Sequence, residues 1–126
     1  MISQAVVQLT DVNKTFGGSG ANQVRALQDI NLEIGSNEFI SLIGPSGCGK
    51  STLLRLVGDL IAPSSGIVRV NGKAAHEARL KREYGMVFQQ ATLMDWRTIR
   101  QNVEMPLEIM GWDADKRHAR ARTMLE

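Results

Sequence analysis

Apolar residues along the chain recur in patterns that predict distinct elements. Val6, Val7, Leu9 and Val12 read as a first strand, and Ala26, Leu27, Ile30, Leu32 and Ile34 as a second whose last three positions alternate with period two. Between them Gly17 to Asn22 predicts a flexible connection. After Gly35-Ser-Asn37, the nearly continuous apolar run Phe39 to Ile43 has the pattern of a strand buried on both faces, and we read it as a central parallel strand. From Lys50 onward Leu53, Leu54, Leu56, Val57, Leu60 and Ile61 recur at helical spacing until Pro63 and Gly66 end the segment. Ile67 to Val70 then meets Asn71-Gly72, a hairpin pair because both residues tolerate positive φ. Ala74 to Arg82 predicts a short exposed helix or loop, and Gly85 to Phe88 another buried strand ending in Gln89-Gln90. Thr98 and Gln101 have capping-box spacing, so a helix should start at Ile99 and reach about Met110, with Gly111 beyond it and Pro106 kinking or shortening it. Asp113 is placed to cap a last helical segment, Ala114 to Glu126, whose Lys116, Arg117, Arg120 and Arg122 read as a solvated basic face.

With 126 residues, 43% apolar and 22% charged, the chain has room for one compact domain with a core and the balance of a soluble globular protein. No apolar run approaches the roughly 18 residues needed to span a bilayer. Met1 to Leu9 lacks the cationic segment and long apolar core of a secretory leader, which points to the cytoplasm. A formal charge of +2 selects no nucleic-acid partner. Cys48 is the single cysteine, so no internal disulfide forms, and with only His76 and His118 it makes no structural zinc site. Both histidines read as surface residues without partners.

The chemistry concentrates between the central apolar run and the helix that follows it. Gly44, Pro45, Ser46, Gly47, Cys48, Gly49, Lys50 and Ser51 fit Gly-x-x-x-x-Gly-Lys-[Ser/Thr], in the strand-to-helix position that this motif requires. Glycines at 44, 47 and 49 leave backbone N–H groups free to turn into one concavity at a helix N-terminus, where they hold phosphate oxygens. Lys50 is placed to neutralise β and γ phosphates, and the Ser51 hydroxyl to ligate Mg²⁺. Cys48 occupies an unconstrained position and reads as a passive small residue. A dinucleotide site is disfavoured, because no Gly-x-Gly-x-x-Gly opens this helix.

The wider pattern resembles the N-terminal half of an ABC transporter ATP-binding subunit. The matching stretches are Val12 to Phe16, Ala26 to Leu32, Ile43 to Leu54 and Gly85 to Gln89, with Pro63-Ser-Ser-Gly66 and Asn71-Gly72 between them. The resemblance implies an α/β fold: a partial P-loop NTPase core with an antiparallel β subdomain over residues 1–90, and the start of a helical subdomain over 91–126. It implies ATP and Mg²⁺ as cofactors, Phe16 as the aromatic that stacks on adenine, Thr52 as a hydrogen-bond partner of the α-phosphate, and Gln89 as the Q-loop residue reaching Mg²⁺ and the attacking water. Lys50 and Gln89 are thereby the catalytic residues, with Ser51 and Gln89 on the metal. Ala91 to Val103 and Pro106 to Gly111 are similar to the nitrate, sulfonate and taurine importer group, with Trp96 and Asn102 most suggestive.

By the same resemblance the partners are a membrane permease, met by the Q-loop region near Trp96, a second ATP-binding subunit in a head-to-tail dimer, and indirectly a periplasmic or extracellular solute-binding protein. The chain would then sit on the inner face of the cell membrane. The family's Leu-Ser-Gly-Gly-Gln signature, its Walker B carboxylate and its switch histidine do not occur in these residues. The expectation is therefore the N-terminal half of an importer ATPase. The competing reading is a non-hydrolysing nucleotide-binding module or remnant, and a small-molecule kinase is a more distant one, disfavoured by Gln89 and Trp96.

Overall fold

The computed structural model describes residues 5–126; Met1 to Gln4, part of the stretch read above for a leader, lie outside the described residues. The chain divides into two compact units, one running to Met86 and the other Val87–Glu126. In the first, strands β1 (Ala5–Phe16), β2 (Val24–Gly35), β3 (Ser65–Val70) and β4 (Lys73–Ala74) form one antiparallel sheet in the order β2-β1-β3-β4. Helices α1 (Lys50–Val57) and α2 (Ala75–Leu80) accompany it. Leu9, Val12, Leu27, Val68 and Val70 from the sheet bury against Leu56 of α1 and Ala75 and Ala78 of α2. This is the hydrophobic face that the alternating strand pattern predicts.

Two irregularities in the β1–β2 ladder are built from side chains. Asp11 and Asp29 both take positive φ, 49° and 48°. Asn31 on β2 seals the first, accepting from Asp11 N at 2.9 Å and donating to Asp11 Oδ1 at 3.1 Å. Asn13 on β1 seals the second, accepting from Asp29 N at 2.9 Å. Each strand thus supplies the polar group that the other's bulge requires. The Asn71-Gly72 turn forms as expected, with φ of 51° and 74° at its two residues, and joins Val70 to Lys73.

Helix α1 stops at Val57, short of the Ile61 that periodicity suggests. Asp59 turns left-handed (φ 52°), Leu60 N bonds Arg55 O at 2.9 Å and Asp59 N bonds Leu56 O at 3.1 Å, a Schellman cap that redirects the chain. Gly66 is not a terminator but part of β3. The Asp59 carboxylate then receives Arg79 Nε and His76 Nδ1, each at 2.9 Å, and so fastens α2 to the end of α1. Burial pushes that carboxyl up, but the hydrogen bonds from Arg79 and His76 outweigh it and hold it below its ordinary value.

Two expected strands do not form. Phe39 to Ile43 and Gly85 to Phe88 carry no ladder pairing. Phe39, Ile43 and Val87 are 93%, 94% and 99% exposed. An apolar run becomes a strand only when a neighbour takes its hydrogen bonds, and neither run pairs with an edge of the sheet β2-β1-β3-β4.

The second unit holds helices α3 (Ile99–Ile109) and α4 (Ala114–Leu125), which pack against each other. The capping box is present: Thr98 Oγ1 accepts from Gln101 N and Gln101 Oε1 from Thr98 N. Helix α3 runs through Pro106 rather than ending there, because this cap and a Schellman closure at Gly111 outweigh the one bond that proline cannot donate. Asp113 stands at the N-cap of α4 but makes no side-chain cap bond. Its carboxylate lies 3.5 Å from Lys116 Nζ instead. Among the described residues no helix is long and apolar enough to cross a membrane.

Candidate functional site

Gly44 to Thr52 form one continuous exposed-to-half-buried loop that ends on the first turn of α1. Two of its glycines are left-handed, Gly47 at φ 79° and Gly49 at φ 101°. At Gly49 a side chain has no room: a Cβ there would stand 2.8 Å from Ala26 O and 2.8 Å from Leu27 Cδ2. The loop is therefore pressed onto β2 at the point where it enters the helix. Gly49 O accepts from Leu53 N at 2.9 Å, so this residue closes the loop and opens the helix together.

Lys50 curls over the loop, its Nζ donating to Gly44 O at 2.6 Å and Pro45 O at 2.8 Å and approaching Cys48 Sγ at 3.4 Å. No carboxylate pairs with it among the described residues. The first turn of α1 also holds no acidic residue. An ammonium without a counter-ion, beside a helix N-terminus and a loop that admits no side chain at Gly49, is chemically suited to an oxyanion such as phosphate. Ser51 is exposed at the start of α1. Its hydroxyl is an oxygen donor of the kind that Mg²⁺ takes alongside phosphate oxygens and water.

Phe16 ends β1 opposite Val24 of β2, and Ala26, two residues on, is the backbone on which Gly49 rests. Strand spacing and rise put the ring on the order of 10 Å from the loop. The ring is 41% exposed, and Lys14 Nζ lies 5.0 Å from its centroid. One face is thus taken by a cation, itself tethered to Ala62 O at 2.7 Å. Nothing in the sequence pattern singles out Lys14, because its contact depends on how β1 ends.

Gln89 lies exposed at a bend near the start of the second unit. Further along, Trp96 is 80% exposed. The histidines are not free, contrary to expectation: His76 meets Asp59, and His118 Nδ1 lies 2.6 Å from Glu104 Oε1. Glu104 is a buried charge, 5% exposed, that periodicity places on an ordinary helix face. Arg117, expected on a solvated face, is half-buried and donates to Trp112 O at 2.8 Å. The two histidine pairings join residues 17 and 14 positions apart, so no local spacing announces them.

Comparison with known proteins agrees with this geometry. The ABC transporter family profile matches residues 27–126. An uncharacterized ABC transporter ATP-binding protein of Methanocaldococcus jannaschii is 44% identical over 111 residues, 88% of this chain and 40% of that protein. The nitrate import ATP-binding protein NrtD of Synechocystis sp. is 41% identical, over 95% of this chain and 44% of its own. The pyoverdine export ATP-binding/permease protein PvdT of Pseudomonas aeruginosa is 40% identical, over 96% of this chain and 19% of its own. Among solved structures, the ATP-binding cassette MJ0796, a dimer in a post-hydrolysis state bound to ADP and Pi, superposes with a TM-score of 0.81 at 36% identity, covering 93% of this chain and 54% of that one. The chain spans about half the length of that cassette and less of the curated relatives it matches, importers and exporters alike. With its partial P-loop NTPase core, antiparallel β subdomain and helical start, the chain belongs to the ABC transporter family as part of its ATP-binding domain.

Proposed function

We propose that the chain is the N-terminal half of the ATP-binding subunit of an importer, which couples ATP hydrolysis to solute uptake. The single observation that carries the reading is Lys50, unpaired with any carboxylate among the described residues and folded over a loop whose Gly49 has no room for a side chain. In this reading Gly44 to Thr52 hold the triphosphate. Lys50 neutralises the β and γ phosphates, Ser51 ligates Mg²⁺, and Thr52 bonds the α-phosphate. Phe16 stacks on adenine and Gln89 reaches toward Mg²⁺ and the attacking water. Residues 1–90 serve as the nucleotide-binding core and 91–126 as the start of the helical subdomain.

The permease contact falls at the exposed Trp96, the second ATP-binding subunit pairs head to tail, and a solute-binding protein acts indirectly from outside. The chain then works in the cytoplasm on the inner face of the membrane. The run from Ala91 to Val103 is what supports uptake, since import and export proteins match this chain at comparable identity. Uptake of labelled solute into vesicles carrying the reconstituted transporter, against its extrusion, decides the direction.

Binding of Mg-ATP to the chain tests the site directly. Lys50→Ala should abolish tight binding and leave the far-ultraviolet circular dichroism unchanged, since Nζ bonds only its own loop. Normal Mg-ATP binding by that variant overturns the assignment. A second reading is a nucleotide-binding module that does not hydrolyse ATP. The mass of the native polypeptide in its source cells separates the two: roughly twice this chain supports the ATPase, and the mass of this chain alone supports the module.

A further inference from the structure

Lys14 is a half-buried cation to which the phosphate chemistry gives no task. Its Nζ stands over the Phe16 ring, 5.0 Å from the centroid, and donates to Ala62 O at 2.7 Å. Among the described residues no carboxylate pairs with it. Alternation along a strand puts residues two apart on one face, which brings the lysine stem to the ring. Where the ammonium stops is decided by the Ala62 carbonyl, 48 positions away in the segment after α1. Held there, the charge attracts the electron-rich face of the ring and restrains its rotation.

The backbone beneath the ring is fixed as well. Asn13 and Ser65 are the last pair of the β1–β3 ladder, and past them the Ser64 hydroxyl takes over, accepting from Thr15 N at 3.0 Å and donating to Thr15 O at 3.4 Å. Ser64 N donates in turn to Asn13 O at 2.8 Å. On the other side Thr15 and Phe16 pair with Arg25 and Val24 of β2. The chain then leaves the strand at once, for Gly17 is left-handed at φ 94°. Phe16 therefore has a fixed backbone at the lip of a glycine loop and a ring 41% exposed, which the ammonium steadies from one face.

We propose that Lys14 is a positioning residue for the nucleotide base: anchored on Ala62 O, it holds the Phe16 ring in the orientation on which a purine stacks. The proposal rests on the reading of Phe16 as the adenine platform. A ring restrained before binding has less rotational freedom to lose when a base stacks on it, so the gain falls on the base and not on the phosphates.

Calorimetric titration of the whole chain with Mg-ATP and with Mg-tripolyphosphate, which has no base, isolates that contribution as a ratio of affinities. The unaltered chain should favour ATP by about tenfold. Phe16→Ala should erase the preference, and Lys14→Met, which keeps the stem and removes the charge, should reduce it about threefold. Lys14→Gln should give the same loss if methionine disturbs the strand end, and Lys14→Arg, which still offers a cation and a donor, should keep the full preference. Removal of a positive charge by itself would weaken the more highly charged tripolyphosphate more, the opposite sign. A second readout needs no nucleotide. In the chain labelled with para-fluorophenylalanine, the fluorine resonance of Phe16, assigned by its loss in Phe16→Leu, should shift in Lys14→Met and stay in place in Lys14→Arg. An unchanged preference in Lys14→Met, equal weakening of both ligands, an unmoved resonance, or a further loss when Lys14→Met is added to Phe16→Ala overturns the proposal. The two failures are distinct: if Phe16→Ala keeps the preference for ATP, the adenine reading falls and the proposal with it, whereas a preference lost in Phe16→Ala but kept in Lys14→Met sinks the role of Lys14 alone.

Discussion

Gly49→Ala is the sharpest test of how the loop is built, because the structure separates the two costs it incurs. The residue sits at φ 101°, so any side chain adds backbone strain of about 1–2 kcal/mol. The new methyl would also stand 2.8 Å from Ala26 O, which is strand backbone and cannot swing away, and 2.8 Å from Leu27 Cδ2. Overpacking of this kind costs a further ~1–3 kcal/mol, for a total of about 2–5 kcal/mol. Two controls isolate the contributions. Gly47→Ala, at φ 79° with nothing within 4 Å of its Cβ, should show the strain alone. Gly18→Ala, with an open surrounding and no left-handed φ, should lie within about 0.5 kcal/mol of the parent chain. Urea unfolding followed by circular dichroism gives the three values, and Mg-ATP titration reports the loop. If Gly49→Ala costs no more than Gly47→Ala, the contact with β2 does not shape the loop and the reasoning fails.

Other outcomes follow from the same structure. Asn13→Ala should lower stability by about 1 kcal/mol in urea, since it strips Asp29 N of its acceptor; a neutral result would mean that water replaces the amide at no cost. His118→Ala should cost about 1–3 kcal/mol in a thermal melt by leaving buried Glu104 with only Arg100 Nε at 3.3 Å. The double variant His118→Ala/Glu104→Leu should recover much of that loss, and a double variant as weak as the single one refutes the account. The Lys73 hydrogen bond, and then that of Asn71, hold Glu83 below its ordinary value. A carboxylate lowered on folding adds stability above its unfolded value, and the gain is lost as pH falls toward the folded one, so stability should decline below about pH 4. Lys73→Ala should flatten that decline in urea titrations run across the acid range, and an unchanged slope would show that Glu83 does not contribute.

What was legible in the chain was whatever neighbouring residues decide among themselves. The capping box of Thr98 and Gln101, the left-handed pair Asn71-Gly72 and the glycine closure at Gly111 all rest on spacings of a few residues, and all three form. The phosphate-loop motif is of the same kind. The reciprocal seals between Asp11 and Asn31 and between Asp29 and Asn13 join residues 20 and 16 apart, and depend on a register that periodicity does not give. The partners of His76 and His118 carry no local signal for the same reason. Periodicity carries helix α1 too far because Asp59, unremarkable in sequence, takes a conformation more common for glycine or asparagine.

The unformed strands carry this argument to the site itself. Phe39 to Ile43 is no less apolar than Ile67 to Val70, yet only the latter pairs, since β1 offers it a ladder. A strand is therefore a property of a segment and its neighbour together, and the run before the phosphate loop finds no neighbour among the described residues. The loop nevertheless takes a defined shape. Gly49 is fixed by contact with β2, Lys50 by the carbonyls of Gly44 and Pro45, and the helix start by the bond from Leu53 N to Gly49 O. None of these restraints passes through the ladder hydrogen bonds of a central strand. Contact with β2, the Lys50 bonds and the helix start thus restrain the phosphate loop together, and the role left to a paired Phe39 to Ile43 is to anchor that loop from its other end.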